Sequence, residues 1–253
     1  MDETRVQVDT SAGVQTIAIN RPHVMNALDE RTYHALAESF RHAEHDDSVR
    51  CLVLTSTGEH FCAGWDLSPD DDFESEADTA EASGYDAFLE ALEACSKPLV
   101  AGVRGVAVGI GFTLLGHVDI VVLADSARMR APFAALGLCP EAGSSVTLPR
   151  LLGDHLTADL MFTGRWLGAR EAVQAGLGTR VVPDDELAEA VGDLARTIAG
   201  QPTTSLTVTK ALLTEDLRER AVKARKVEDE HFRRLLRSPE HQRAIQAWQA
   251  RSK

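Results

Sequence analysis

Three short apolar segments set the strongest limits on what this chain can fold into. Cys51–Thr55, Leu99–Val103 and Ile120–Ala124 are too short for typical helices and are mostly aliphatic, which predicts buried strands. Segments with helical periodicity lie before, between and after them. One example is 29–44, which follows Asp29, a residue type that caps helix N-termini. Strands that alternate with helices indicate an α/β fold.

The rest of the chain extends this pattern at both ends. Residues 6–8 and 14–19 alternate with a period of two on either side of Ser11-Ala12-Gly13, which predicts a β-hairpin. Further helices are predicted near 81–95, 154–162, 169–175, 184–200, 203–236 and 240–249. We therefore divide the chain into a β/α core, 1–195, and a helical C-terminal region, 196–253.

Length and charge limit the class of protein. A chain of 253 residues fits one large domain or two small ones and can bury a core without metal or disulfide support. Its formal charge of −13 argues against a general nucleic-acid or anionic-membrane binder, because both need a basic face. The charge is uneven, since 201–253 hold 12 Lys and Arg against 7 Asp and Glu. Seven acids crowd into 70–81, which we interpret as a solvated lid.

Cysteine and histidine spacing gives no disulfide or metal signal. The four cysteines lack CxxC spacing, so we expect free, buried thiols in a reducing compartment. The nine histidines show no HxxxH or HExxH pattern, so no metal site is predicted. The chain opens without a signal peptide and has no apolar run of about 18 residues, so we expect a cytoplasmic protein.

Two glycine-bearing segments after predicted strands could place backbone N–H groups against a ligand. In Glu59–Leu67, Gly64 permits close approach of a ligand, although an ordinary strand-to-loop turn explains the segment as well. In Gly105–Phe112 the glycines miss the GxGxxG spacing of dinucleotide sites. A helix that begins there could still stabilise a developing oxyanion.

A lone acid in an apolar run is the third candidate. Glu141 follows Pro140 within 131–145, whose other residues are mostly apolar or small. A carboxyl in apolar surroundings has a raised pKa and can shuttle protons. The alternative is an exposed glutamate in the first turn of a helix, where the helix dipole favours a negative charge.

Several separate motifs occur in one order along the chain. They are Ile19-Asn20-Arg21-Pro22, Asn26-Ala27-Leu28, Phe61-Cys62-Ala63-Gly64-Trp65-Asp66-Leu67, Lys97-Pro98-Leu99-Val100-Ala101, Ala107-Val108-Gly109-Ile110-Gly111 and Thr163-Gly164. Together they resemble the enoyl-CoA hydratase/isomerase (crotonase) superfamily. The resemblance implies a spiral of ββα units with a helical C-terminal region used for assembly as a homotrimer or dimer of trimers. It also implies acyl-CoA thioester substrates, with no cofactor beyond the CoA of the substrate.

The resemblance also assigns roles to residues. It implies an oxyanion hole formed by the backbone N–H groups of Ala63 and Ile110. Matched positions that would contact substrate or CoA are Met25, Ala27, Gly64, Asp66, Leu67, Phe133 and Leu136. Candidates for the CoA phosphates are Lys210, Lys223 and Arg225, with an exposed helix face as the alternative. Trp65 departs from the small or polar residue usual at its position.

The acid residues discriminate between branches of the superfamily. A hydratase of this superfamily uses two glutamates, and the matching positions here are Thr113 and Phe133. Glu141 instead occupies a Pro-Glu position similar to that of the Δ3,Δ2-enoyl-CoA isomerase branch, which uses one glutamate. We therefore expect an isomerase that moves a double bond from C3 to C2 of a 3-enoyl-CoA in fatty-acid β-oxidation. The alternatives are an enoyl-CoA hydratase or other crotonase-type reaction, and a non-catalytic CoA-binding protein.

Overall fold

A computed structural model describes residues 4–67 and 83–251; the predicted lid at 70–81 lies outside the described residues. The described strands are β1 Val6–Ser11, β2 Val14–Ile19, β3 Cys51–Ser56, β4 Leu99–Val103, β5 Val106–Val108, β6 Ile120–Ala124, β7 Arg128–Arg130, β8 Leu167–Gly168 and β9 Arg180–Val182. The three predicted buried strands and the predicted hairpin are all present.

The larger sheet contains six strands in the order β1-β2-β3-β4-β6-β9. The β1–β2 hairpin is antiparallel, and the other neighbours pair in parallel. Ala12 and Gly13 form the hairpin turn with φ values of 52° and 79°, the positive values that a two-residue turn needs. The central strands β3, β4 and β6 are mostly buried, which explains their continuous apolar sequences.

The smaller sheet contains β5, β7 and β8, and an isolated parallel bridge places Cys62 beside Ala107 of β5. Along the chain, a strand of the larger sheet is therefore followed three times by a segment of the smaller sheet. Cys62 follows β3, β5 follows β4, and β7 follows β6. This repeated step confirms the predicted α/β spiral. The sequence pattern did not reveal β5, β7, β8 and β9, because two or three residues are too few to show a period.

The helices fill the connections between strands. They are α1 Glu30–His45, α2 Gly84–Ala94, α3 Ile110–Thr113, α4 Ser144–Leu152, α5 Asp154–Thr163, α6 Ala169–Ala175, α7 Leu187–Ala199, α8 Thr203–Leu236 and α9 Pro239–Arg251. Asp29 caps α1 as expected, since its carboxylate accepts the Thr32 N–H at 2.8 Å. Helix α4 was not predicted; it contains Pro149, a residue that normally argues against a helix.

The two C-terminal helices return to the core. Helix α8 packs along α4, and α9 reaches the short 3-10 turn Ala134–Leu136. Helix α7 runs from Leu187 to Ala199, across the boundary expected at 195. The division into two parts therefore stays a prediction, as does the use of the C-terminal helices in assembly.

Candidate active site

A cavity of about 640 Å³ is lined both by the core and by helices α8 and α9. The core contributes the turn after β3, the start of α3, the segment after β7, and Glu141. The C-terminal helices contribute residues from Asp229 to Ala247. The predicted acid and the two predicted glycine-bearing segments thus meet around one cavity.

Glu141 supplies a buried carboxyl group to this cavity, with the residue only 5% exposed. Its Oε2 accepts a hydrogen bond from the Tyr85 hydroxyl at 2.9 Å, and its Oε1 accepts one from the Thr113 hydroxyl. Burial raises the pKa of Glu141 to about 8, because the loss of water penalises the charge more than these donors stabilise it. The alternative of an exposed glutamate is wrong, and the carboxyl can exchange protons near neutral pH.

The backbone after Glu141 adopts a left-handed conformation. Ala142 has φ 56° and Gly143 has φ 69°, and the first value costs an alanine about 1–2 kcal/mol. The Tyr85 hydroxyl accepts the Ala142 N–H at 3.0 Å, and His117 Nε2 lies 2.6 Å from the Ala142 carbonyl oxygen. These contacts fix the peptide that carries the carboxyl.

The two positions matched to hydratase glutamates hold no acid. Thr113 is fully buried in α3, where its hydroxyl serves as a donor to Glu141. Phe133 is 6% exposed and lines the cavity. At the positions where two carboxyls would activate water, the chain therefore has a hydroxyl and a phenyl ring.

The expected oxyanion donors differ in their surroundings. Ile110 is the first residue of α3, so its N–H has no acceptor within the helix, and the residue lines the cavity. The Ala63 N–H instead donates to the Met25 carbonyl oxygen at 3.0 Å. Ala63 also lines the cavity, but its N–H would have to leave Met25 to bind a substrate, so this geometry does not favour it.

The peptide groups next to Ala63 have a defined direction. Leu28 forms a parallel bridge to this segment, donating its N–H to Gly64 O at 2.8 Å and accepting the Asp66 N–H at 2.9 Å. In such a bridge the N–H and C=O groups of the bridged residue, here Trp65, point away from the partner segment. The Trp65 N–H is therefore directed away from Leu28, and Trp65 lines the cavity.

Comparison with known proteins identifies the family. The family model described as enoyl-CoA hydratase/isomerase matches residues 9–253. The chain belongs to the enoyl-CoA hydratase/isomerase family. This confirms the resemblance seen in the sequence and makes the chain a crotonase-type acyl-CoA enzyme.

Similar proteins of this family include isomerases. A 1,2-epoxyphenylacetyl-CoA isomerase of Escherichia coli (strain K12) is 36% identical over 206 residues, 78% of this chain and 77% of that protein. Enoyl-CoA delta isomerase 2 of Rattus norvegicus is 34% identical over 221 residues, 85% of this chain and 56% of that protein. A crystal structure of an enoyl-CoA hydratase/isomerase from Pseudoalteromonas atlantica T6c matches with a TM-score of 0.93 and 37% identity, covering 98% of both chains.

The residues expected to contact substrate fall into two groups in this family member. Gly64, Leu67, Phe133 and Leu136 line the cavity. Met25, Ala27 and Asp66 are not among its lining residues. Asp66 is buried and pairs with Arg21 at 2.8 Å, which gives it a structural role in the described fold.

The three cationic residues expected near the CoA phosphates differ in their burial and in their ion pairs. Lys210 is buried and pairs with Asp119 at 2.8 Å. Arg225 is buried against Glu93, with Nε 3.0 Å from its carboxylate. Neither Lys210 nor Arg225 lies on an exposed helix face or is available to bind a phosphate, because an acidic partner inside the fold already neutralises each charge. Lys223 is exposed, and its role stays a prediction.

Tyr85 and Glu228 are functional candidates that the sequence did not reveal. Tyr85 lies on α2, 56 residues before Glu141, and Glu228 lies on α8, 85 residues after Gly143. Glu228 accepts the Gly143 and Ser145 N–H groups at the start of α4. No local motif marks either residue; only the fold brings them to the Glu141 segment.

Other features of the described residues bear on the expectations. The free cysteines are Cys51, Cys62 and Cys95, all buried, and the half-buried Cys139. No group of three or more His, Cys, Asp or Glu within 4–67 and 83–251 is arranged to hold a metal ion. In the same ranges no helix combines the length and the apolarity required to cross a bilayer.

Proposed function

We propose that this enzyme is a Δ3,Δ2-enoyl-CoA isomerase acting in fatty-acid β-oxidation. One observation carries the proposal: among the described carboxyls that line the cavity, Glu141 is the buried one, where Thr113 and Phe133 replace the acids of a hydratase. The other two, Asp86 and Asp229, are partly buried and pair with Arg225. Moving a double bond from C3 to C2 needs one base that also returns the proton. The similarity to proteins named isomerases supports this choice.

The proposed reaction is a 1,3-proton transfer. Ionised Glu141 removes a proton from C2 of the 3-enoyl thioester, and the C–H electron pair forms a dienolate with its charge on the thioester oxygen. The protonated Glu141 then gives the proton to C4, and the electrons return to form the C2–C3 double bond. A pKa of about 8 suits both steps, because Glu141 is a stronger base than an exposed glutamate and still a usable acid.

The thioester oxygen needs hydrogen-bond donors as its charge develops. The Ile110 N–H is one proposed donor, because it opens α3 at the cavity. For the second donor the bridge geometry favours the Trp65 N–H over the Ala63 N–H, which serves Met25. Each such donor is typically worth about 2.7–4 kcal/mol in the transition state.

The apolar wall of the cavity would protect the shuttled proton. Phe133 and Leu136 lie on the core side, and Ile245 lies on the C-terminal side. Excluding water slows loss of the proton between its removal from C2 and its return at C4. Contacts of Gly64 and Leu67 with the substrate belong to the same proposal, as do trimeric assembly and a cytoplasmic location.

Separate incubations with a 3-enoyl-CoA and a 2-enoyl-CoA test the proposal. We expect conversion of the first to trans-2-enoyl-CoA and little hydration of the second. Glu141→Gln should lower the isomerisation rate by about 10³-fold or more while the protein stays folded. Efficient hydration would instead support the hydratase alternative, and acyl-CoA binding without any turnover would support a binding protein.

A further inference from the structure

The Tyr85 hydroxyl has both of its hydrogen-bonding roles fixed. Its oxygen accepts the Ala142 N–H at 3.0 Å, and it lies 2.9 Å from Glu141 Oε2. A phenol has one hydrogen, and a backbone N–H can only donate. The single Tyr85 hydrogen is therefore directed at the carboxyl oxygen. Burial and the nearby Glu141 charge raise the pKa of Tyr85 well above its usual range, so this hydrogen stays in place.

Thr113 makes the other hydroxyl contact with Glu141 and has more freedom. Its oxygen lies within hydrogen-bond distance of Glu141 Oε1 and also 3.2 Å from the Gly109 carbonyl oxygen. The Thr113 hydrogen can turn to Gly109 when Glu141 takes up a proton, so this residue fits both protonation states. The Tyr85 hydrogen has no such second acceptor among the contacts described, so it favours the ionised carboxylate.

We propose that Tyr85 is a positioning residue that holds Glu141 in its base form and fixes which carboxyl lone pairs face the substrate. This rests on the proposed function, because it assigns Glu141 the role of base. One phenol binds both the carboxylate and the next peptide, so the two cannot move independently. The orientation of Glu141 is thereby coupled to helix α2, which carries Tyr85.

Several contacts hold Tyr85 in its position. Ser83 caps α2, with its hydroxyl accepting the Asp86 N–H at 3.2 Å. The Tyr85 ring packs edge-on against Tyr33, with ring centroids 5.8 Å apart at 85°. The start of α2 is also tied to α1, since the Gly84 N–H donates to Glu30. These contacts hold the phenol in one orientation.

Other titratable groups surround Glu141 and contribute to its charge state. From α8, Glu228 and Asp229 oppose ionisation of Glu141. Cys62 approaches from the turn after β3, and His117 contacts the peptide that follows Glu141. Among the described contacts, only the hydroxyls of Tyr85 and Thr113 donate hydrogen bonds to the carboxylate. Removing the Tyr85 hydroxyl should therefore make Glu141 harder to ionise.

The test measures the ionisation of Glu141 without substrate. Protein labelled with 13C at the glutamate side-chain carboxyl is titrated by NMR, with Glu141→Gln used to assign the signal. In Tyr85→Phe we expect the Glu141 pKa to rise by about one unit. In Tyr33→Phe, which removes the only other tyrosine hydroxyl, we expect no such rise. An unchanged Glu141 pKa in Tyr85→Phe would overturn the proposal.

A second variant guards against misfolding and reverses the expected sign. In a Tyr33→Phe background, biosynthetic 3-fluorotyrosine replaces Tyr85 alone and makes its hydroxyl a stronger donor. We expect the Glu141 pKa to fall by a few tenths of a unit, and a rise or no change would contradict the proposal.

Turnover then adds a readout that separates this proposal from the proposed function. The pH profile of kcat/KM for a 3-enoyl-CoA should shift to higher pH in Tyr85→Phe, with a loss of about tenfold at pH 7 that shrinks at higher pH. A uniform loss at every pH would indicate only a structural role and overturn the proposal. If the wild-type enzyme fails to isomerise the substrate, the proposed function fails, while the NMR titration still decides the role of Tyr85.

Discussion

Glu228 on α8 accepts a hydrogen bond from the Gly143 N–H at 2.6 Å, two residues after the candidate base. The same carboxylate accepts the Ser145 N–H at 2.9 Å. These N–H groups lie at the start of α4, where they have no acceptor within the helix, and Glu228 supplies one. A C-terminal helix thus anchors the segment that carries Glu141, which links the stability of that region to the chemistry.

Replacing Glu228 tests this anchor. Glu228→Gln puts an amide NH₂ where a carboxylate oxygen now accepts, so one N–H loses its acceptor. We expect a loss of about 1–3 kcal/mol in the free energy of unfolding, measured by urea denaturation. The exposed Glu230 on the same helix gives the control Glu230→Gln, for which the change should stay within about 0.5 kcal/mol. Equal effects of the two variants would refute the anchoring role.

The raised pKa of Glu141 predicts a pH-dependent stability. Below pH 4.5 the group is protonated in both folded and unfolded chains, so it has no effect. Between pH 4.5 and about 8 the unfolded chain ionises first, and this residue destabilises the fold increasingly as pH rises. Glu141→Gln should therefore match the wild type near pH 4 and exceed it by roughly 4 kcal/mol near pH 8. Urea titrations at several pH values check this, and a pH-independent difference would count against it.

Arg225 joins α8 to α2 through a buried ion network. It lies 3.0 Å from Glu93 and 3.3 Å from Asp86. Arg225→Met leaves the buried Glu93 charge uncompensated, so we expect a loss of about 3–5 kcal/mol in the free energy of unfolding. The control Arg220→Met removes an arginine that is 60% exposed, and its effect should stay below about 1 kcal/mol. A mild effect at Arg225 would mean that this network contributes little.

Gly111 holds α3 against the turn after β3. A Cβ at this position would lie 2.6 Å from the Cys62 carbonyl oxygen and 2.8 Å from the Cys62 Cβ. Gly111→Ala should push the proposed Ile110 donor away from this turn, lowering kcat by about tenfold or more and stability by about 1–3 kcal/mol. The control Gly168→Ala meets no atom within 4 Å, so denaturation and kinetics should change little. Wild-type kcat in Gly111→Ala would contradict this view of the site.

The sequence predicts the fold well where elements are long and regular. Helix α1 and strands β3, β4 and β6 lie close to their expected positions, because each has a clear apolar period or run. Strands of two or three residues, such as β8, leave no such trace. Their position follows from pairing with distant partners, which a local pattern does not contain.

The site shows the same contrast. Glu141 could be found because an acid in an apolar run is locally unusual, and the motif resemblance pointed to the same residue. Tyr85 could not, because its partner is 56 residues away and the sequence near it has no distinctive pattern. Lys210 and Arg225 were misjudged because a charged residue on a helix looks the same in sequence whether it faces solvent or a buried partner.

The transfer of deuterium within the substrate tests the central claim most directly. A 3-enoyl-CoA with two deuterium atoms at C2 is converted in H₂O, and single-turnover product is examined by mass spectrometry and NMR. If buried Glu141 alone carries the proton, most product molecules should keep one deuterium at C2 and gain the other at C4. Loss of one deuterium to solvent in every product molecule, or no conversion at all, would contradict the account.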